Sequence, residues 1–142
     1  MTSSTRSVLT TGAAAAAVAG IVALAVFAIA DAAGADFQFV QDGQSTEVGY
    51  GIVAVVSIVS ILLGTAFAAL LGPRRLRLVQ IIGAVIAVLT AAAPLGLTGD
   101  SSAKAVLALL HLITGAVFVL ALERVRRGMV ATEPAAGATA RS

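Results

Sequence analysis

Four long apolar runs constrain this chain more than any other feature of its sequence. They cover residues 12–30, 48–71, 78–97 and 105–122. None of them contains Asp, Glu, Lys or Arg. A helix needs about 20 apolar residues to cross a hydrocarbon core of about 30 Å, and lipid requires its backbone polar groups to bond within the segment. The runs therefore predict four transmembrane helices.

The composition favours a membrane protein over a water-soluble one. Of the 142 residues, 59% are hydrophobic and 11% are charged, and the mean hydropathy is +1.04. A soluble domain usually carries about 25% charged residues, and a small one leaves much of its surface exposed to water. We predict an all-α fold, an integral membrane four-helix bundle whose transmembrane domain spans residues 12–124.

The two ends of the chain differ from the apolar runs. Residues 1–11 are rich in Ser and Thr, and residues 125–142 combine Arg, Gly, Ala, Thr and Pro. Neither segment offers an apolar face for packing. We expect a flexible cytoplasmic N-terminus at 1–11 and a disordered cytoplasmic tail at 125–142.

The arginines indicate the orientation. If the N-terminus is cytoplasmic, eight arginines lie inside and only Lys104 lies outside. Cytoplasmic loops of membrane proteins carry such an excess of basic residues. We therefore predict a multi-pass protein of the bacterial plasma membrane with both termini in the cytoplasm. Its inner arginines would contact anionic lipid headgroups: Arg74, Arg75, Arg77, Arg124, Arg126 and Arg127, with Arg6 and Arg141 nearer the chain ends.

The first run has an alternative interpretation. Arg6, an apolar run and the Ala28-Ile29-Ala30 sequence together resemble a signal peptide with its cleavage site. The run is longer than the 7–15 apolar residues typical of such peptides. Cleavage would leave three spans, and a mature protein beginning at Asp31 would identify this outcome.

The residue inventory excludes several kinds of chemistry. The absence of Cys excludes disulfides and thiolate sites. No carboxylate lies inside a run, although proton-driven carriers usually need one. Nucleotide-binding loops, metal-binding His pairs and nucleophile motifs are also missing. The net charge of +2 forms no basic face with interleaved aromatic residues, so no nucleic acid is expected. We expect no catalytic, cofactor or metal site.

His111 is the candidate polar site in the spans. It is the only histidine of the chain, and an ionisable residue within a membrane span is a functional candidate. One hypothesis is a proton-sensing or substrate-binding group. The alternative is a neutral imidazole that hydrogen-bonds to a neighbouring helix, at a backbone carbonyl, Thr90 or Ser57.

Small residues at four-residue spacing predict close helix packing, because they let helix backbones approach in lipid. They occur in three of the runs: Ala16 and Gly20; Ser60, Gly64 and Ala68; and Gly83, Ala87 and Ala91. In the fourth run, Gly115 lies one turn after His111. We interpret them as seams inside the bundle, with contacts between copies of the chain as the alternative.

The connections carry further signals. Pro94 lies where it would kink or end the third helix. The outer segment 31–47 contains Phe37 and Phe39, and we expect either a solvated loop with apolar anchors or a cap over the bundle. Glu123 and Arg127 are four residues apart on a helix and are expected to pair.

Several short motifs occur along the chain: Ala33-Gly34-Ala35-Asp36-Phe37, Leu63-Gly64-Thr65, the basic segment 72–77, Ala93-Pro94-Leu95, and the fourth run at 109–116, where a His is followed by a small residue. Together they resemble the DUF6069 family of actinobacterial membrane proteins. The resemblance covers about residues 12–124. It implies a retained first helix and a four-span unit, and it marks Asp36, Pro94, His111 and Gly115 as positions to test. The family brings no established function with it.

Two functional hypotheses follow. The first is a non-enzymatic structural or partner subunit that associates with another membrane protein or with copies of itself. The second is a small transporter or channel subunit with His111 near the pathway. An intramembrane enzyme is the weakest hypothesis, because the chain supplies no nucleophile and base set.

Overall fold

Four long helices dominate the part of the chain described by the structure, a computed structural model that covers residues 3–41 and 43–131. The helices are α1 (Ser3–Ala32), α2 (Tyr50–Leu71), α3 (Leu76–Ala92) and α4 (Ser101–Ala131). Each is long and apolar enough to cross a membrane, when α3 is taken together with the 3-10 turn Ala93–Gly96 that continues it. The predicted all-α bundle and its multi-pass membrane character are therefore confirmed.

The helices follow one another around the bundle in the order α2, α1, α4, α3. Helix α1 packs against both α2 and α4, and α4 also packs against α3. Helices α2 and α3 are joined by a short turn at Pro73–Arg75, yet they contact each other far less than the other neighbouring pairs do. The ring of helices is consequently open on the side between α2 and α3.

The outer helices extend beyond the predicted spans. Helix α1 begins at Ser3, so residues 3–11 are helical where a flexible N-terminus was expected. Helix α4 continues to Ala131, into the segment expected to be disordered. The reason is packing: Val8 and Val125 are buried in one apolar cluster, and Met129 packs against it. The rest of the predicted tail, residues 132–142 with Arg141, lies outside the described residues.

A three-stranded antiparallel sheet covers one end of the bundle. Strand β1 (Gln38–Gln41) pairs with β2 (Gln44–Glu47) and with the short β3 (Thr98–Gly99). The turn between β1 and β2 includes Gly43, whose φ of 78° is a conformation that glycine adopts at little cost. We call this end, with the sheet, the cap end.

Aromatic side chains attach the sheet to the helices. Phe37 and Phe39 are two residues apart and are both buried in an apolar cluster with Phe27 of α1. The ring centroids of Phe27 and Phe37 lie 4.1 Å apart, and those of Phe27 and Tyr50 lie 4.9 Å apart in an edge-to-face arrangement. Of the two expectations for segment 31–47, the structure has the cap.

The opposite end carries the arginines, and we call it the arginine end. The start of α1, the turn from α2 to α3 and the last turns of α4 all lie there, because consecutive helices run antiparallel. Gly72 (φ 78°) closes α2, and its N–H donates to the Ala68 carbonyl at 3.1 Å. The arginines of the described residues are all exposed at this end: Arg6, Arg74, Arg75, Arg77, Arg124, Arg126 and Arg127.

Candidate functional site: a lateral cleft between helices

The gap between α2 and α3 is a cleft of about 730 Å³ whose back wall is α4. Its lining is mainly apolar, and Ile52, Val56 and Ile86 at its sides are exposed. The polar side chains that line it are Ser57, Ser60, Thr90, His111 and Thr114. The cleft therefore opens sideways, toward the region that lipid chains would occupy around the spans.

Phe118 closes the cleft at its lower end, toward the arginine end. The Phe118 ring lies between Gly64 of α2 and Gly83 of α3. A Cβ added at Gly64 would lie 2.8 Å from the ring, and one added at Gly83 would lie 2.6 Å from it. Since any larger residue would displace the ring, these two glycines let one aromatic side chain of α4 reach both neighbouring helices.

Seven residues above this contact, toward the cap end, each of the three helices contributes a polar side chain to the cleft. They are Ser57 on α2, Thr90 on α3 and His111 on α4. Each lies seven residues from the residue of its own helix that takes part in the Phe118 contact, which is Gly64, Gly83 or Phe118 itself. Seven residues are almost two helical turns, or about 10 Å, so the three side chains share a level and a face. We call Ser57, Thr90 and His111 the polar layer.

His111 hydrogen-bonds to its own helix. Its Nδ1 lies 2.8 Å from the Leu107 carbonyl oxygen. The expected bond to a neighbouring helix is therefore wrong, because the carbonyl one turn earlier on α4 is already within reach of the ring. A carbonyl oxygen only accepts, so Nδ1 carries the proton of the neutral ring and Nε2 is left as an acceptor. Within the described residues, Nε2 has no partner.

The other predicted positions lie in two places. Gly115 lines the cleft and faces Ala87 of α3, where a Cβ on Gly115 would collide with the Ala87 methyl group. Pro94 is buried in a 3-10 turn, Ala93–Gly96, that follows the end of α3. Asp36 is exposed in the cap. The structure thus brings His111 and Gly115 to the cleft and leaves Pro94 and Asp36 near the cap end.

The cap connection holds one carboxylate in its charged form. Asp100 Oδ2 accepts the backbone N–H of Asp36 at 3.2 Å, and Oδ1 accepts the backbone N–H of Ser102 at 3.2 Å. The Ser102 hydroxyl also donates to Asp100. The Ser102 hydroxyl is the largest cause that lowers the pKa of Asp100 below its usual value, and the backbone donors add to it.

Gln80 joins α3 to α4 near the arginine end. Its side-chain amide donates to the Val119 carbonyl at 3.1 Å and to the Glu123 carboxylate at 3.3 Å. The same carboxylate accepts bonds of 2.8 Å from Arg126 and from Arg127, the latter being the predicted pair. This network ties the two helices together below the cleft.

Sequence reasoning missed the polar layer and the contact of Phe118. It gave Ser57 and Thr90 no role except as partners for His111. The sequence did contain a signal for both features. Gly64 and Gly83 were recognised as small residues, and each residue of the polar layer lies seven positions from Gly64, Gly83 or Phe118. What the sequence lacked was the pairing of helices that aligns these three positions.

The fold and the cleft together define a class: a multi-pass membrane protein of four spans, built around an apolar lateral cleft. The chain matches the family of unknown function DUF6069 over residues 3–128, and it therefore belongs to that family. No curated protein and no solved structure matches the chain.

Proposed function

We propose that this protein is a non-enzymatic subunit of the plasma membrane, structural or accessory to a partner, and that its lateral cleft binds one apolar chain from the bilayer. The observation that carries the proposal is the cleft itself. Its volume of about 730 Å³ lies within the range of about 300–1,000 Å³ typical of small-molecule sites. Like such sites, it combines an apolar lining with a few polar groups.

The size of the cleft favours a chain over a partner's helix as its occupant. From Leu107 to Phe118, α4 advances about 16 Å along the cleft. A helix of that length and about 10 Å diameter has a volume of about 1,200 Å³, which exceeds the cleft. The length of the cleft along α4, by contrast, is close to half of a hydrocarbon core of about 30 Å, which is the thickness of one leaflet.

The arginine end supports the proposed place in the membrane. Its exposed guanidinium groups give this end of the bundle a positive charge, which suits anionic headgroups at the cytoplasmic surface. Contact with those headgroups would anchor the bundle at a defined depth. The cleft would then face the leaflet on the other side of the bilayer.

A photoreactive lipid chain tests the binding proposal. The protein is reconstituted into phosphatidylcholine vesicles that contain a hexadecyl chain with a terminal diazirine, and adducts are mapped by peptide mass spectrometry. We expect more adducts on the cleft walls than on Ile21, Ala25 and Ile29, which are exposed on α1 outside the cleft. Ser60→Phe should fill the cleft and lower the yield, whereas Ala66→Phe, on an exposed part of α2 outside the cleft, should not.

An even distribution of adducts over all lipid-facing helices would overturn the proposal.

The second candidate, a transporter or channel subunit, is favoured by one observation, the position of His111 in the wall of the cleft. A transporter or channel would require water to reach that wall, whereas the binding of an apolar chain would not. Access of water to the wall of the cleft can be measured.

A further inference from the structure

We infer that the apolar chain bound in the cleft carries a neutral hydroxyl group, which donates a hydrogen bond to Nε2 of His111. The inference rests on the proposed function, because it specifies the chemistry of the occupant of the same cleft. The ligand class is a long-chain or isoprenoid alcohol that lies within the bilayer.

The first step is the hydrogen-bonding state of His111. The bond from Nδ1 to the Leu107 carbonyl places the other edge of the ring, with Nε2, away from the backbone of α4. His111 lines the cleft and is only half-buried. The wall of an apolar site therefore presents one acceptor that a ligand can reach.

The second step is the rest of the polar layer. The Thr90 hydroxyl donates to the Ile86 carbonyl at 2.8 Å, so its oxygen remains free to accept. Ser57 is buried, and its hydroxyl has no partner among the described residues. The layer thus offers acceptors at His111 and Thr90 and a hydroxyl at Ser57 that can donate or accept. A ligand hydroxyl, itself a donor and an acceptor, complements this set.

The third step is depth. His111 follows Lys104 by seven residues, which places it about 10 Å deeper along α4 than that charged residue. The headgroup of a phospholipid stays at the surface, and at this depth its acyl chain has no donor to offer. A phospholipid tail in the cleft would leave Nε2 unpaired, which is unfavourable in a medium without water.

The fourth step is charge. Among the described residues, His111 is the only titratable side chain that lines the cleft, and no Lys or Arg of that part of the chain lies on its walls. An ionised carboxylate at this depth would have to lose its hydration without a fixed cation nearby, which is costly. The lining therefore favours an alcohol over the ionised form of a fatty acid of the same chain length.

Competition with the photoreactive chain tests the inference. The competitors are hexadecanol, hexadecane and hexadecanoate, which differ only at one end. One hydrogen bond corresponds to an affinity difference of about 2- to 10-fold. We expect hexadecanol to compete better than hexadecane by that factor and better than hexadecanoate. His111→Leu should abolish the preference for the alcohol, whereas His111→Gln, which keeps an acceptor, should retain it.

The single histidine provides a second readout on the unmodified protein. In bilayers, ¹⁵N-histidine labelling gives one imidazole spectrum, which belongs to His111. Hexadecanol should shift the Nε2 resonance, and hexadecane should not. This measurement keeps the inference testable if His111→Leu fails to fold, as judged by helix content and elution volume.

The outcomes separate the two proposals. Equal competition by hexadecanol and hexadecane, with no Nε2 shift, overturns the inference and leaves the proposed chain-binding function standing. A preference for hexadecanoate also overturns it. If no competitor displaces the photoreactive chain from the cleft, the proposed function fails and the inference fails with it.

Discussion

At the scale of single residues, the helices approach one another through contacts in which one side has no side chain. Gly115 of α4 and Ala87 of α3 are such a pair. In this contact only Ala87 contributes a methyl group. The same principle lets Phe118 lie between two glycines. In lipid, where apolar surface gains little from leaving the solvent, this close van der Waals packing is a main source of helix association.

From the contact between Gly115 and Ala87, we expect a substitution at Ala87 to restore the stability that is lost by a substitution at Gly115. Gly115→Ala should lower the free energy of unfolding by about 1–3 kcal/mol, because the added methyl group overlaps the Ala87 side chain. The double variant Gly115→Ala with Ala87→Gly moves the methyl group to the other helix and should recover most of the loss. Unfolding in mixed detergent micelles, followed by helix content, measures both.

Gly51→Ala is the matched control for this pair. Gly51 also lies in a helix, and a Cβ there would meet nothing within 4 Å. It should leave stability unchanged or slightly improved. A double variant no more stable than Gly115→Ala would show that the contact of Gly115 with Ala87 does not limit helix packing.

For His111, the sequence revealed the residue type but not the surroundings of the ring. The sequence identified it as the one imidazole in a span, because polar atoms are conspicuous in an apolar run. Its hydrogen bond to Leu107 and its level with Ser57 and Thr90 depend on side-chain rotamers and helix register, which an apolar sequence encodes weakly. The Gln80 bond to Glu123 was hidden for the same reason.

At the scale of elements, the four helices were predictable because length and apolarity suffice to identify a span. The ends of α1 and α4 were not, since Val8 and Val125 are helical through contacts made in three dimensions. The hairpin had a usable signal, the Asp42-Gly43 dipeptide between short segments, which is typical of a two-residue turn. Each strand is only four residues long, so the alternation that identifies a strand is short.

The cap is expected to loosen in acid. The hydrogen bonds to Asp100 lower its pKa in the folded cap, so they favour the charged form. Their contribution is complete above the pKa of about 4 of an unperturbed Asp, and it is lost as the pH falls through the lower folded value. We expect hydrogen exchange at the Asp36 amide, corrected for intrinsic rate, to show protection that declines below about pH 4.

Asp100→Asn provides the control, because an amide does not titrate. This variant should show weaker protection of the Asp36 amide at neutral pH and no decline on acidification. If the wild-type decline persists in Asp100→Asn, another group controls the cap and the assignment to Asp100 is wrong.

At the scale of the whole molecule, the helix order around the bundle explains both its stability and its opening. Helix α1 holds α2 and α4 together, and α3 is attached mainly through α4. Loss of α1 as a signal peptide would remove the element that both α2 and α4 pack against. Within residues 3–41 and 43–131, no further element lies between α2 and α3, and the cleft is the consequence.

The orientation of the bundle is testable because the chain contains no cysteine. Ser7→Cys lies near the arginine end and Thr98→Cys at the cap end, and both positions are exposed. On intact cells, a membrane-impermeant maleimide should label Thr98→Cys and should reach Ser7→Cys only after permeabilisation. The reverse pattern would invert the orientation, and a mature protein that lacks the Ser7→Cys site would indicate cleavage.

The proposed function requires that the lateral cleft is filled from the hydrocarbon and not from water. A spin label at Ser60→Cys, on the cleft wall, measures this directly when the protein is in vesicles. We expect frequent collisions with oxygen and few with a water-soluble nickel complex. Adding hexadecane or hexadecanol should reduce the mobility of the label at Ser60→Cys and should leave the mobility of a label at Ala66→Cys unchanged. If the nickel complex reaches Ser60→Cys as readily as oxygen does, the cleft is an aqueous pathway and the proposed function is contradicted.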